Sequence, residues 1–327
     1  MAFYSSFKFA PGEWFPYKDQ AFLDAIVNED VYARQGKNFE NPDFELKVVF
    51  DVHNYFAIDL MQRIRLANLK NEKLVVILPS PENSTYISLA CALNRLKISC
   101  KNLHVFFLNE YANEKGEVAP WQSPYSKSGQ FMKNFYDRLE DEIKMPIENI
   151  HFWTSENIET YSDEIAKLGG ADVCYTYISW AGGIGVIDVE SFPAKSLEEF
   201  KNMSSRLVTP ALETIAQDSL RGMFGFGGDV SNVPPKAVSV GPKDLLLAKE
   251  WIDLEYLVGC AGTGTHQKFP LRLALFGPLS HQNPPSIMRL AKGTCYVCPE
   301  VAAMPQSQPD FTSLIPALEE IAKKEGK

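Results

Sequence analysis

The segment covering residues 74–110, LVVILPSPENSTYISLACALNRLKISCKNLHVFFLNE, decides the fold. Strand-like apolar runs occupy residues 74–80 and 103–110, and apolar residues recur at helical spacing between them. A strand, a helix and a second strand of these lengths form a β-α-β unit, in which the two strands are parallel. The segment therefore predicts a parallel sheet that is covered on both faces.

Strand-like and helical patterns continue to alternate along the rest of the chain. Further strand-like segments begin at Asp172, Lys236, Glu255 and Gly293. The helical patterns between and around them are SGQFMKNFYDRLEDEI, ETYSDEIAKLG, LVTPALETIAQDSL and HQKFPLRLALFG. This alternation predicts a Rossmann-like α/β fold, a three-layer αβα arrangement around a doubly wound, mostly parallel sheet.

The N-terminal fifty residues differ in pattern from the remainder. Residues 1–50 are irregular and rich in aromatic side chains, so we expect them to wrap around the core. A long amphipathic helix follows Asp51, which is a suitable N-cap residue. No convincing linker divides the chain after this point, and residues 51–327 are therefore predicted to form a single αβα domain.

Composition and charge exclude several classes of function. The 327 residues are 45% hydrophobic and 22% charged, as in ordinary soluble globular proteins. The formal net charge of -9 argues against broad binding to nucleic acid or to an anionic membrane. The sequence has neither an apolar run of bilayer length nor a recognisable signal sequence, which predicts a cytoplasmic protein.

The cysteines and histidines do not form a recognisable metal site. Cys295 and Cys298 are the only C-x-x-C pair, and they lie in the strand-like segment GTCYVCPE without a second pair of soft ligands nearby. The five histidines show no H-E-x-x-H spacing. We therefore expect no metal and no cofactor.

Two loops that follow predicted strands are suited to bind an anion. The first offers the hydroxyl groups of Ser80, Ser84 and Thr85. The second, CAGTGTHQK, contains Thr263 and Lys268 and leads into a helix, whose N-terminal N–H groups favour negative charge. The alternative is that both are ordinary capping loops. Because parallel strands share one carboxyl edge, we expect one ligand cleft, bounded by the strands ending near Ser80, Glu110, Trp180 and Cys260.

Several segments resemble the glucosamine-6-phosphate deaminase and isomerase family. They are FFLNEYANEKGEVAPWQSPYSKSGQFMKNFYDRL, VSNVPPKAVSVGPKDLLLAKE, HQKFPLRLALFGP and SIMRLAKGTCYVC, in collinear order between about Leu74 and about Glu300. The resemblance implies the three-layer fold and a phosphorylated sugar as ligand. The related 6-phosphogluconolactonases share this fold, but they resemble the chain less at the tyrosine of NEY.

The resemblance also assigns residues to the phosphate. In the family, the loop after the first core strand, an arginine and a lysine hold the sugar phosphate. The matching positions here are the loop containing Ser80 and Thr85, together with Arg221 and Lys268. The loop lacks the family's paired glycines, which allow the backbone to approach a phosphate closely.

The positions that match the family's catalytic residues depart from its pattern. Asn109 stands where the family has the aspartate that removes the proton at sugar carbon 2, whereas Glu110 and Tyr111 match. In WAGGIGVIDVESF, apolar Ile184 and Val186 stand where the family has a second aspartate and the ring-opening histidine. The carboxylates of Glu110, Asp188 and Glu190 are the candidate replacement groups.

These observations predict a sugar-phosphate-binding protein, an isomerase- or deaminase-type enzyme with an altered acid and base set. A non-catalytic binder is the main alternative, and hydrolysis of a sugar lactone is a weaker one. Deamination of glucosamine 6-phosphate should be weak or absent, because an amide cannot accept the carbon-2 proton. The sequence leaves open the identity of the sugar, a homo-oligomeric state and any regulatory ligand.

Overall fold

The computed structural model describes residues 11–80, 83–220, 222–225, 227–256 and 267–305. The strands are β1 (Phe44–Val48), β2 (Leu74–Leu78), β3 (Leu103–Phe107), β4 (Asn109–Ala112), β5 (Ile150–His151), β6 (Val173–Thr176), β7 (Arg206–Val208), β8 (Lys236–Ser239), β9 (Trp251–Glu255) and β10 (Gly293–Val297). The α-helices are α1 (Gln20–Val27), α2 (Val31–Arg34), α3 (Val52–Lys70), α4 (Asn83–Leu96), α5 (Lys127–Asn134), α6 (Tyr161–Lys167), α7 (Leu197–Lys201), α8 (Leu212–Ser219), α9 (Pro242–Leu247), α10 (Lys268–Phe276) and α11 (Pro299–Ala302). Short 3-10 helices lie at Tyr136–Arg138, Ile147–Asn149, Gly222–Phe224, Val230–Asn232 and Pro284–Leu290.

Seven strands form one central sheet in the order β1-β10-β9-β6-β2-β3-β5, and all of its pairings are parallel. Each residue of β2, LVVIL, is buried, as expected for a strand with both faces covered. Phe56 of α3 packs edge-on against Tyr175 on one face of the sheet, and Tyr161 of α6 packs against Phe106 on the other. The predicted α/β fold with a doubly wound, mostly parallel sheet is confirmed.

The strand order changes direction next to β2. From β2 the chain runs outward to β3 and β5, then returns to β6 on the other side of β2 and continues to β9 and β10. Neighbouring strands whose connections leave in opposite directions form a crevice at their carboxyl ends. The loops after Leu78 and Thr176 therefore open on this crevice.

The predicted strand over residues 103–110 is divided in two at Leu108. Its N–H donates to the carbonyl of Leu78 in the parallel sheet, and its carbonyl accepts from the N–H of Val240. Beyond this residue, β4 leaves the parallel sheet and pairs antiparallel with β8, which also pairs with β7. The segment at Lys236, predicted as a strand among the core strands, therefore belongs to a separate three-stranded sheet.

Other sequence expectations fit in part. The helix after Asp51 is confirmed as α3, with the Asp51 carboxylate accepting the N–H of Asn54. The strand expected to begin at Glu255 instead ends there. Residues 20–48 are not irregular throughout, contrary to expectation, because they contain α1, α2 and the edge strand β1.

No helix in the described ranges combines the length and the apolar character needed to cross a bilayer.

Candidate functional site

Contacts at the carboxyl edge connect the two loops that were predicted to bind an anion. Thr85 Oγ1, in the first turn of α4, lies 2.9 Å from His53 Nδ1 in the first turn of α3. The His53 ring packs on Tyr256, whose carbonyl accepts from Gln267 Nε2 at 3.1 Å. Gln267 immediately precedes Lys268 at the start of α10. The N-terminal ends of three helices therefore meet beside β2 and β9.

The predicted phosphate ligands have different environments at this edge. Ser80 is half-buried, Ser84 is exposed and Thr85 is buried. Lys268 is half-buried, and its Nζ donates to the carbonyl of Met304 at 3.0 Å. Burial, followed by the charge of Arg272, lowers the pKa of Lys268.

Two of the predicted residues and one predicted strand end cannot be placed. Arg221, Thr263 and Cys260 lie outside the described residues.

Asn109 is buried beside Gly185, which lies in the loop that the sequence resemblance aligns with the family's second catalytic segment. Its Oδ1 accepts from Lys127 Nζ at 2.8 Å, and because an ammonium group only donates, this contact fixes the orientation of the amide. Its Nδ2 is buried without a hydrogen-bond partner and lies 2.5 Å from the position that a Cβ on Gly185 would occupy. Gly185 also has a φ of +61°, so both space and backbone conformation favour glycine.

Lys127 is a buried cation that the sequence analysis missed. Only 5% of the residue is exposed, and its Nζ lies 4.5 Å from the centre of the Tyr111 ring. The N-cap Ser126 and the glycine-containing turn that follows it predict a helix start, but nothing in the local sequence directs this lysine inward. The buried position of Lys127 depends on the packing of α5 against β4.

Glu110 is fully buried and its carboxylate is occupied by hydrogen bonds within the protein. One oxygen accepts from the N–H groups of Tyr111 and Lys127, and the other accepts from the Ser126 hydroxyl and from both the N–H and the hydroxyl of Ser128. The donor distances lie between 2.7 and 2.9 Å. With five donors, Glu110 anchors the start of α5, and its geometry does not present a free oxygen to a ligand.

Tyr111 connects the second sheet to α8. Its hydroxyl donates to Asp218 Oδ2 at 2.7 Å, and both side chains are buried. Phe224 packs edge-on against the Tyr111 ring. The sequence analysis named Tyr111 but not Asp218, because their contact spans more than one hundred positions in the chain.

The two carboxylates of the glycine-containing loop differ in their surroundings. Asp188 is buried, and its oxygens accept the N–H groups of Glu190, Ser191 and Ala211. Burial raises the pKa of Asp188, although these hydrogen bonds oppose the shift. Glu190 is exposed, and its pKa is raised by partial desolvation and by the charges of Glu213 and Asp188. Ile184 and Val186 are buried.

An unexpected pair of acids lies in the buried strand β9. Asp253 accepts from the Thr176 hydroxyl at 2.5 Å, and Glu255 accepts from the N–H of Ile178 at 2.6 Å. The second oxygen of Glu255 is buried without a hydrogen-bond partner. Burial, and then the charge of Asp253, raise the pKa of Glu255 well above its ordinary range. Acids inside the apolar run WIDLEYLVG were the available sequence signal.

No group of three or more His, Cys, Asp or Glu side chains in the described part of the chain has the geometry to hold a metal ion. Cys295, which belongs to the only C-x-x-C pair, lies in β10 and donates to Asp253.

Comparison of the sequence with known proteins identifies several relatives. No family model matches the sequence. A glucosamine-6-phosphate deaminase from Phocaeicola vulgatus is 30% identical over 262 residues, which cover 76% of this chain and 86% of that protein. A glucosamine-6-phosphate deaminase from Caenorhabditis elegans is 24% identical over 77% of this chain and 87% of its own length.

Solved structures share the fold. A monomeric glucosamine-6-phosphate deaminase matches with a TM-score of 0.62 at 20% identity, covering 80% of this chain and 99% of its own. A 6-phosphogluconolactonase from Thermotoga maritima matches with a TM-score of 0.55 at 15% identity, covering 78% and 99% respectively. The common architecture therefore extends over about four fifths of the present chain.

Proposed function

Because the chain belongs to the glucosamine-6-phosphate deaminase family, we propose that it binds a phosphorylated sugar at the carboxyl edge of its parallel sheet and that deamination is very slow or absent. Relatives named for a sugar phosphate support the ligand class. The loss of deamination is inferred from the side chains at the family's proton-transfer positions.

One observation carries this proposal. An amide, Asn109, stands at the position of the family's base, and the adjacent carboxylate of Glu110 accepts five hydrogen bonds from its own chain. Each positioned acid or base contributes about 100- to 10,000-fold to a rate. Without a free proton-transfer group at these two positions, binding can persist while turnover falls by such factors.

The phosphate is proposed to bind where the helix N-termini meet. Ser80, Ser84, Thr85 and Thr263 would supply hydroxyl groups, and Arg221 and Lys268 would supply charge. The contacts from Thr85 through His53 and Tyr256 to Gln267 support a common location for the loop and for Lys268. Helix N-termini that converge also favour an anion.

Ligand binding and turnover test the proposal separately. Glucosamine 6-phosphate and glucose 6-phosphate should raise the melting temperature of the native protein, and Lys268→Ala should remove most of this stabilisation. Lys73→Ala is the matched control, because Lys73 is an exposed lysine at the amino end of β2, away from the predicted site. Unchanged stabilisation in Lys268→Ala would contradict the assignment, and ordinary turnover of glucosamine 6-phosphate would contradict the loss of deamination.

A second candidate is an enzyme that uses Asp188 as its acid or base. The raised pKa of this buried carboxyl favours such a role, because burial moves it toward the working range of a general acid. Asp188→Asn would then abolish turnover while leaving stabilisation by sugar phosphates in place. Loss of both would indicate that Asp188 instead supports the start of α8, where the Ala211 N–H donates to it.

A further inference from the structure

Lys127 and Asn109 form a buried hydrogen-bonded pair just after the carboxyl end of β3. Lys127 donates one N–H to Asn109 Oδ1, and the amide then directs its own Nδ2 away from the lysine. Asn109 Nδ2 has no partner. The pair therefore places buried hydrogen-bond donors at the position where the family has an acceptor, the catalytic carboxylate.

Within the described residues, the Lys127 ammonium group forms no ion pair with a carboxylate. The residue is 5% exposed, and its interactions are one hydrogen bond to a neutral amide and a contact with the Tyr111 ring. The neighbouring Glu110 is occupied by five other donors. A buried ammonium without a carboxylate partner is unfavourable, and an anionic group beside it relieves that cost.

We propose that Lys127 and Asn109 form a subsite for an anionic oxygen of the ligand, so that the preferred ligand is a phosphorylated sugar acid and a phosphorylated amino sugar is disfavoured. This inference rests on the proposed function, since the phosphate would bind at the neighbouring loop after β2. The strands β2 and β3 are adjacent, so the two subsites follow neighbouring strand ends.

Charge explains the discrimination. A carboxylate near sugar carbon 1 or 2 would accept hydrogen bonds from Lys127 Nζ and Asn109 Nδ2 and would neutralise the buried cation. The ammonium group of an amino sugar would meet the same cation, and both Lys127 Nζ and Asn109 Nδ2 can only donate hydrogen bonds. The affinity for a sugar phosphate whose sugar part is uncharged should lie between the affinities for these two ligands.

Calorimetric titration of the native full chain tests the order of affinities. The probes are 6-phosphogluconate, glucose 6-phosphate, glucosamine 6-phosphate and inorganic phosphate, at neutral pH and low salt. We expect 6-phosphogluconate to bind at least about tenfold more tightly than glucose 6-phosphate, and glucosamine 6-phosphate to bind more weakly than either.

Lys127→Met removes the charge while keeping an unbranched side chain. It should bring the three sugar phosphates to within about threefold of one another, whereas Lys133→Met, at an exposed lysine of the same helix, should leave the order unchanged. Equal affinities in the native protein, or a preference that survives Lys127→Met, would overturn this inference but leave sugar-phosphate binding intact. If no sugar phosphate binds, both proposals fail. Should Lys127→Met not fold, the order of affinities in the native protein decides.

Discussion

Glu110 and Glu255 are both fully buried glutamates at strand ends, yet their surroundings differ. Glu110 accepts hydrogen bonds from five donors, whereas Glu255 accepts one from Ile178, keeps one oxygen without a partner and lies beside Asp253. The raised pKa of Glu255 reflects burial and this acidic neighbour. Burial alone therefore does not define the role of a carboxyl group. The number of donors around it distinguishes a structural anchor from a carboxyl group whose pKa is raised.

The largest expected effect is on stability, from Glu110→Gln. The substituted amide places an NH2 group among donors, and several buried N–H and hydroxyl groups lose their acceptor. We expect the free energy of unfolding to fall by about 3 kcal/mol, measured by chemical denaturation. Glu114→Gln, at an exposed acid near the end of β4, should change it by less than about 0.5 kcal/mol. Comparable stabilities for the two variants would show that Glu110 is not an anchor.

Glu255→Gln should raise the free energy of unfolding at neutral pH, whereas Glu110→Gln should lower it. A carboxyl whose pKa is raised in the folded state stabilises the protein fully below its unfolded pKa, near the ordinary value of 4.5. Above that value stability falls, by about 1.4 kcal/mol for each pH unit until the folded pKa is reached. The glutamine variant should lack this decline and be more stable than the native protein at neutral pH. Parallel pH profiles of unfolding for the variant and the native protein would refute the assignment.

A smaller loss is expected from Tyr111→Phe. The change removes the hydroxyl that donates to Asp218 and retains the ring that packs against Phe224. We expect a loss of about 1.5 kcal/mol in the free energy of unfolding. Tyr125→Phe is the control, because Tyr125 stacks on the same Phe224 but is exposed. If both variants lose equally, the hydrogen bond to Asp218 contributes nothing measurable.

Asn109→Asp should have the smallest effect, since it introduces a buried carboxylate directly beside the Lys127 cation. Ion pairing with Lys127 would offset desolvation, and we expect stability to change by less than about 1 kcal/mol. The cation would lower the pKa of the new carboxylate and weaken it as a base, so deamination of glucosamine 6-phosphate should stay undetectable. Only the double variant with Lys127→Met should gain turnover. Equal turnover in the single and double variants would contradict this explanation.

The core of the fold was predictable because its signals are local. The run LVVIL, the helical spacing after it and the N-cap at Asp51 each depend on residues close in sequence, and all were predicted correctly. The division at Leu108 was not predicted, because β4 pairs with β8 through residues far away in the chain. An apolar run gives no indication of which sheet its last residues will join.

The candidate site was predictable only as a set of positions. The resemblance identified Asn109, Glu110 and Tyr111, and the structure groups them with Lys127. It could not indicate that the Glu110 carboxylate would be occupied, because four of its five donors come from residues 126–128. The contribution of a charged side chain depends on its three-dimensional partners, which local sequence does not encode.

The double role of Leu108 has a consequence for the order of folding. The N–H of Leu108 bonds to the nearby strand β2, whereas its carbonyl accepts from Val240, which is distant in the chain. The pairing of β4 with β8 likewise brings residue 112 beside residue 236. Closing the loop between residues 112 and 236 costs chain entropy before the contacts of β4 with β8 can form. The β2-α4-β3 unit requires the closure of a much shorter segment. We therefore expect amide protection in pulsed hydrogen exchange to develop in β2 and β3 before β4 and β8. During folding the ligand cleft would then form after the β2-α4-β3 unit, and a chain released before residue 240 is synthesised would contain β2 and β3 but would lack β9, β10 and a complete candidate site.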